Sequence, residues 1–369
     1  MADGTVRPVK LADGQRLWLV SGYDNVRRFF TDDRFSRARA IQMGAPSFDN
    51  PELMINMDPP DHTRIRRFAA HAFAPRQIER LRQPLMDFAT ELCAEIADSQ
   101  PPVDLVPRFA NLLPIRAICD LLGIPFADRQ RFAHLGDAAS VIPGGDTGPV
   151  RQAEAQLGEY VGQLVESRRR CPTDDFLSTL ITAGDKEDQL SESELISTVI
   201  SILVAGYQTT IGQFSSFVLE LLQRPEQWAR LRAEPALFPS AIEELLRYVH
   251  SSTAGASLFR VATEDVQLDG GTVPAGGAVI ASLKSANLDP ARFADPERLD
   301  FDRTPNRHLS FGSGSHYCLG AQLARLELQI GIAALVSQFE TMRLAVPAQE
   351  LRYAPNLAMR NLVALPVAW

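Results

Sequence analysis

Cys318 stands in the run HLSFGSGSHYCLGAQLAR, residues 308–325, with Gly312, Gly314 and Gly320 around it and an amphipathic helical pattern directly after it. A thiolate is both a nucleophile and a metal ligand. A helix N-terminus favours that anion through its free N–H groups and its dipole. The glycines let the backbone turn tightly and lie against a flat object, and Phe311 offers a ring to shield the sulfur. Two plainer readings stand beside this one. A lone cysteine is commonly a small core hydrophobe, and a glycine-rich turn before a helix can hold phosphate.

Three further groups carry possible chemistry. Glu244 and Arg247, in EELLR, are three apart and share one helix face; an isolated pair of this kind is usually a weak surface ion pair. His62 and Arg66, in MDPPDHTRIRRFAAHAF, are four apart and also share a face. In LVAGYQTT, residues 203–210, Gly206 interrupts a helical pattern at a cost of about 1 kcal/mol against Ala. A chain accepts that cost where a helix opens or approaches something closely.

The elements that must hold these residues are mostly helical. The stretch SESELISTVISILVAGYQTTIGQFSSFVLELLQR, 191–224, opens with a capping box, Ser191 with Glu194, and is apolar on most faces. At its length it would run about 50 Å, across the whole molecule. FPSAIEELLRYV carries a second expected capping box, Ser240 with Glu243. Residues 61–135 read as successive helices punctuated by Pro60, Pro75 and Pro114, and 134–149 as a Gly- and Pro-rich loop. Residues 255–285 and the tail LRYAPNLAMRNLVALPVAW have strand and turn texture. The expected fold is mainly α with a small β region. With no internal repeat and no clean linker, the 369 residues are taken as a single domain, 1–369.

Composition narrows the function classes. The 45 acidic against 37 basic residues give a net charge of −8, which argues against nucleic acid as a partner. Cys93, Cys119, Cys171 and Cys318 are far apart, with no CxxC or CxxCH, against a disulfide scaffold, a zinc knuckle or a covalently attached c-type haem. With no unbroken apolar run of membrane-spanning length, no membrane is expected and the cytoplasm is the default location.

The segment F-G-x-G-x-H-x-C-x-G, fixed here by Phe311, Gly312, Gly314, His316, Cys318 and Gly320, resembles the haem-binding signature of the cytochrome P-450 superfamily, the haem-thiolate monooxygenases. The resemblance extends over nearly the whole chain and is nearest to the soluble bacterial type. It implies the cytochrome P-450 fold, with a long central helix over haem b. Cys318 is then the axial thiolate, a ligand that pushes electron density toward O–O cleavage. It implies a buried structural triad of Glu244, Arg247 and Arg303, the last in LDFDRTPNRHLSFG. It assigns the haem propionates to His62, Arg66, Arg260 (in SLFRVATEDV) and His316. It implies a monomer that takes electrons from NAD(P)H through a ferredoxin and ferredoxin reductase. Arg64, Arg67, Arg76 and Arg80 are expected to form the basic patch that docks the ferredoxin.

The resemblance also implies an A-G-x-acid-T pattern on the central helix, where the acid and the alcohol relay protons to bound dioxygen. Ala205, Gly206 and Thr209 fit, but Gln208 occupies the place of the acid. An amide is no proton reservoir. Water or substrate supplies the protons, or the acid is dispensable here, or the reaction stops at radical chemistry without oxygen insertion. The family pocket falls on residues 41–57, 134–150, Val204, Ala205, Thr209, residues 252–257 and around Leu357, mixed small, apolar and hydroxyl positions. The expected substrate is a medium-sized, largely apolar small molecule of secondary metabolism, free or bound to a carrier protein. The leading expectation is monooxygenation. The alternatives are a haem-thiolate oxidase for cyclisation or C–C/aryl coupling, and a non-catalytic haem- or ligand-binding module.

Overall fold

Pro60 is the N-cap of one helix and Pro75 the first residue of another, where the missing N–H costs nothing. A computed structural model of the chain describes residues 5–10, 14, 16–44, 50–139, 148–187, 190–250, 259–355 and 359–369. The N-terminal part holds β1 (Val6–Lys10), β2 (Arg16–Val20), α1 (Tyr23–Thr31), β3 (Phe35–Ser36) and α2 (Arg37–Gln42). A helical body follows: α3 (Asp61–Ala70), α4 (Pro75–Arg80), α5 (Arg82–Ala97), the short β4 (Val103–Asp104), α6 (Leu112–Leu122), α7 (Arg129–Ala139), α8 (Gly148–Arg170), α9 (Phe176–Glu187), α10 (Glu192–Leu222), α11 (Pro225–Ala233) and α12 (Phe238–Tyr248). Then come β5 (Arg260–Ala262), β6 (Val266–Leu268), β7 (Gly271–Val273), β8 (Ala278–Ala281), α13 (Leu283–Asn287), α14 (Ala321–Gln338), β9 (Arg343–Leu344) and β10 (Pro366–Ala368).

The strands form a five-stranded sheet in the order β1-β2-β8-β5-β3, a three-stranded sheet β4-β10-β9 and the hairpin β6-β7. In the larger sheet β2 runs parallel to β8, with Trp18 opposite Val279, and the other pairs are antiparallel. This sheet ties the N-terminal strands to the segment that follows α12. The C-terminal strand β10 closes back on β4, with Val367 opposite Val103.

The 31-residue α10 is the axis of the helical core. Its Tyr207, Phe217, Val218 and Leu221 are fully buried, and Phe214 stacks on Phe109 with ring centroids 5.3 Å apart. Each such side chain contributes roughly 1.5–3 kcal/mol by leaving water. By length and hydropathy α10 would also cross a membrane, but most of its apolar stretch is packed inside the protein. The capping box at its start forms: Glu194 N–H donates to Ser191 Oγ at 3.1 Å, and Ser191 N–H to Glu194 Oε2 at 2.9 Å.

Three local expectations are corrected. Pro239 fits the first turn of a helix, so α12 begins at Phe238 and Ser240 falls inside it. The Ser240 hydroxyl donates to the Leu237 carbonyl at 3.1 Å, and no second capping box forms. Pro114 does not break the chain but lies within the first turn of α6. Residues 134–139, read as loop, complete α7, and Gly148 opens α8.

Candidate active site

The cysteine loop is shaped by two left-handed glycines. Gly312 (φ 72°) and Gly314 (φ 73°) let the chain fold so that Cys318 N–H donates to the Phe311 carbonyl at 2.9 Å. A Cβ on Gly314 would stand 2.5 Å from the carbonyl oxygen of Phe30, at the end of α1. Gly320 is different. It is the N-cap of α14 with ordinary angles (φ −84°), and a Cβ there would meet only the Phe73 ring, at 3.7 Å. Neither strain nor packing within the protein demands a glycine at 320. Burial pushes the Cys318 thiol up, while the Gly320 N–H and the Arg66 and Arg325 guanidiniums favour its thiolate. The Arg325 guanidinium also lies over the Phe311 ring, 4.6 Å from its centroid.

Behind the loop, Glu244 and Arg247 form a bidentate pair: Arg247 Nε donates to Oε2 at 2.8 Å and Nη2 to Oε1 at 2.7 Å, both residues fully buried. Arg303 Nε adds 3.1 Å contacts to both oxygens of Glu244. The remaining arginine hydrogens go to backbone carbonyls: Arg247 to Asn287 and Pro296, Arg303 to Ala294 and Asp295, and both to Arg298. The structure thus brings Glu244, Arg247 and Arg303 into contact. Sequence reasoning missed Asn306, whose Nδ2 donates to Glu244 at 3.1 Å, and Glu243, which accepts from Arg325 at 2.6 and 2.9 Å and pairs with His308 at 3.1 Å. Its assignment to a capping box hid Glu243.

On the side of α3, cationic and imidazole groups gather with little opposing charge. His62 and His316 lie ring against ring, centroids 4.1 Å apart. His62 is only 1% exposed, and neither of its ring nitrogens has a partner. Burial and neighbouring positive groups hold His62 down to about 4 and His316 to about 2. Arg66 donates to the Tyr317 carbonyl, and Arg260 to the carbonyls of Phe29 and Phe30 at the C-terminal end of α1. Arg37, which the sequence did not single out, is buried here too, donating to the Phe259 carbonyl at 2.7 Å and Asn56 Oδ1 at 2.8 Å. Burial brings Arg37 and Arg260 each down to about 10, and Arg260 repels Arg37 further. Asp58 is committed to the start of α2, accepting from Ser36 Oγ and from the Arg37 and Ala38 N–H groups. An unpartnered buried imidazole such as that of His62, among desolvated arginines, is costly unless an anion completes the site. A dianionic group such as the two propionates of haem fits this donor set.

Along α10, Ala205 and Thr209 share an accessible face, and Thr209 Oγ1 donates to the Ala205 carbonyl at 2.8 Å. The helix runs unbroken through this point. Gly206 points elsewhere: a Cβ there would be 2.6 Å from Ile118 Cδ1, so this glycine serves the close packing of α10 on α6. Gln208 is held at both ends. Its Nε2 donates to Asp137 Oδ1 and its Oε1 accepts from Asn361 Nδ2 at 2.9 Å. Asp137 was missed because its segment was read as loop.

The expected basic patch is thinner than the sequence implied. Arg64 is paired with Glu194, and Arg80 with Asp174 at 2.7 Å; Arg67 and Arg76 stay exposed, with the Arg67 guanidinium 5.3 Å from the Phe68 centroid. Of the expected pocket, residues 45–49, 140–147, 252–257 and Leu357 lie outside the described residues.

A cysteine loop at a helix N-terminus with a cationic cradle beside it is a donor set that a thiolate-ligated, dianionic cofactor would fit. The family model described as Cytochrome P450 matches residues 137–350. Mycinamicin IV hydroxylase/epoxidase from Micromonospora griseorubida is 42% identical over 96% of this chain and 90% of its own length. Nocardicin C N-oxygenase from Nocardia uniformis subsp. tsuyamanensis is 41% identical over 98% and 92%. A solved cytochrome P450mel 107F1 with biaryl coupling reactivity superposes with a TM-score of 0.90 at 35% identity, covering 99% of this chain and 93% of the other. The chain belongs to the cytochrome P450 family. It is an oxidoreductase of the monooxygenase class, and the family implies a haem-thiolate cofactor.

Proposed function

We propose that Cys318 is the axial thiolate of haem b and that His62, Arg66, Arg260 and His316, joined by Arg37, hold the propionates. The observation that carries this is the buried, wholly unpartnered imidazole of His62, ring against ring with the half-buried His316 and set among arginines beside a thiol at a helix start. Bound haem supplies activation of dioxygen, with one oxygen atom going to substrate and the other to water. The chain's residues set the conditions for that chemistry. Burial favours the thiol at Cys318, and the Gly320 N–H and the charges of Arg66 and Arg325 work against it toward the thiolate. Phe311 and the loop backbone shield the sulfur. Glu244, Arg247 and Arg303 fix the irregular segment ahead of the loop, and so the loop itself. Ala205 and Thr209 offer a small open surface with one hydroxyl for substrate and dioxygen.

Electrons come from NAD(P)H through a ferredoxin and its reductase, docking near Arg67 and Arg76 on a monomeric, cytoplasmic enzyme. The substrate is a medium-sized, largely apolar intermediate of secondary metabolism, in keeping with the names of the relatives. The test is the spectrum of the reduced protein with carbon monoxide: sulfur ligation moves the Soret band far to the red, and Cys318→His removes that position. A histidine-type band in the wild-type protein overturns the proposal.

A second reading, oxidative coupling without oxygen insertion, draws on Gln208 at the acid position and on the coupling activity named for the solved relative. Labelled dioxygen decides: label in the product supports insertion, and its absence supports coupling.

A further inference from the structure

We infer that Asp137, on α7, is the carboxyl group that feeds protons to the open face of α10 at Ala205 and Thr209, with Gln208 and Tyr207 as the positioning residues that hold it there. The inference rests on the proposed haem-thiolate function and supplies what the sequence of α10 lacks.

Gln208 cannot do this work alone. An amide side chain has no ionisable proton at neutral pH, and both ends of this one are engaged, one with Asp137 and the other with Asn361. Gln208 is a strut, and the acid at its outer end is Asp137. The approach of α7 that brings the carboxyl here is built into the chain. A Cβ on Gly136 would be 2.8 Å from the Tyr207 hydroxyl, so only glycine seats α7 this closely on α10.

Tyr207 makes the site able to hold a proton or release it. Its hydroxyl lies 2.9 Å from the Ala133 carbonyl and 2.5 Å from Asp137 Oδ1, and it has one hydrogen for two acceptors. When Asp137 is ionised, that hydrogen and the Gln208 amide both serve the carboxylate. When Asp137 is protonated, its own O–H is directed to the tyrosine oxygen and the phenol turns to Ala133. Both charge states leave the carboxyl partnered. The groups facing Asp137 are Tyr207 and Gln208 from α10, and His134 from its own helix. Burial raises the carboxyl above its ordinary value, against the hydrogen bonds from Tyr207 and Gln208 and the field of His134. Asp137 as a residue is nonetheless open to solvent, which gives it a source of protons.

The balance per turnover is two electrons from NAD(P)H through the redox partners and two protons from water. For each proton, the O–H bond of the Asp137 carboxyl breaks, the proton passes to a water at the Thr209 face and on to dioxygen, and solvent reprotonates the carboxylate. A purely structural role, latching α7 to α10, is the competing explanation.

Difference infrared spectroscopy of the haem-loaded protein, wild type minus Asp137→Asn, reads the carboxyl directly. The expected result is a protonated carboxyl band that titrates above the ordinary aspartate range and moves in Tyr207→Phe. Titration at or below that range overturns the inference. If Asp137→Asn does not accumulate, Gln208→Leu takes its place: losing one hydrogen bond to the carboxylate must move the titration upward, and no movement overturns the inference. NADPH-driven reduction of dioxygen without added substrate, through a surrogate plant-type ferredoxin and reductase, gives the second readout. Asp137→Asn should slow it on the order of 100-fold and flatten its pH profile. Asp137→Glu should retain it, and Gln208→Glu combined with Asp137→Asn should restore it. A wild-type rate and pH profile in Asp137→Asn overturns the inference. The carbon monoxide spectrum separates the two levels. A sulfur-type band in both proteins leaves the test valid, whereas its absence from wild type removes the proposed function itself.

Discussion

Arg64, on α3, donates from both terminal nitrogens to the carboxylate of Glu194, the same group that closes the capping box of α10. One carboxylate therefore fixes the start of the central helix and anchors it to the helix that carries His62 and Arg66. The Arg64 hydrogen bond is the main cause of the lowered Glu194 pKa. Glu194→Gln should cost about 1 kcal/mol in urea unfolding at pH 7, a partly exposed ion pair plus part of a cap. The depressed carboxylate gives its stabilisation above its ordinary 4.5, and loses it as pH falls below. The difference between wild type and Glu194→Gln should accordingly shrink in acid. A difference that is constant with pH would mean that the ion pair contributes nothing.

Glu244 and Arg247 differ from that pair in being sealed from water. Removing one partner leaves the other charge buried, a loss of about 3–5 kcal/mol. Glu244→Gln and Arg247→Leu should yield little soluble, haem-replete protein, as measured by haem absorbance per mole of chain. Haem content near wild type in either variant would show that the triad does not shape the site.

Glu243 predicts an acid limb. Burial alone would raise it, but hydrogen bonds from His308 and Arg325 outweigh that and bring it to about 2. Its contribution is complete above about 4.5 and lost as pH falls toward 2. Glu243→Gln should remove about 2 kcal/mol at neutral pH, discounted for partial exposure, and flatten stability between those values. Acid unfolding followed by far-ultraviolet circular dichroism reads both.

Glu327 has the opposite sign. It is buried within α14, its Oε2 has no partner, and burial raises it well above 4.5. A raised carboxyl stabilises most below its unfolded value, and stability falls as pH rises toward its folded value. Glu327→Met, close in volume, should raise the melting temperature more at pH 8 than at pH 5, with a gain of about 1–3 kcal/mol at the higher pH. A loss at pH 8 would reveal a role for the carboxyl.

Cys318, the Glu244–Arg247 pair and the capped central helix were legible because their signals are local: a fixed spacing, one helix face, a cap three residues from its partner. Arg303 and Arg260 were reachable only through the family resemblance. Arg37 gave no local signal, since its burial depends on Phe259 and Asn56, distant in the chain. Asp137 was lost for another reason. Glycine and proline between 136 and 149 outweighed the helical spacing before them, although the packing of α7 on Tyr207 is what sustains the helix there. Arg64 was assigned to the surface because helical spacing shows which face a residue occupies but not which neighbour covers it.

The end of α1 has two tenants. The Phe30 carbonyl accepts from Arg260, and the bare Cα of Gly314 rests against it. Any larger side chain at 314 would therefore wedge α1 outward and drag Arg260 with it. The cysteine loop and the cationic cradle are thereby keyed to a single abutment, so that neither can drift without the other.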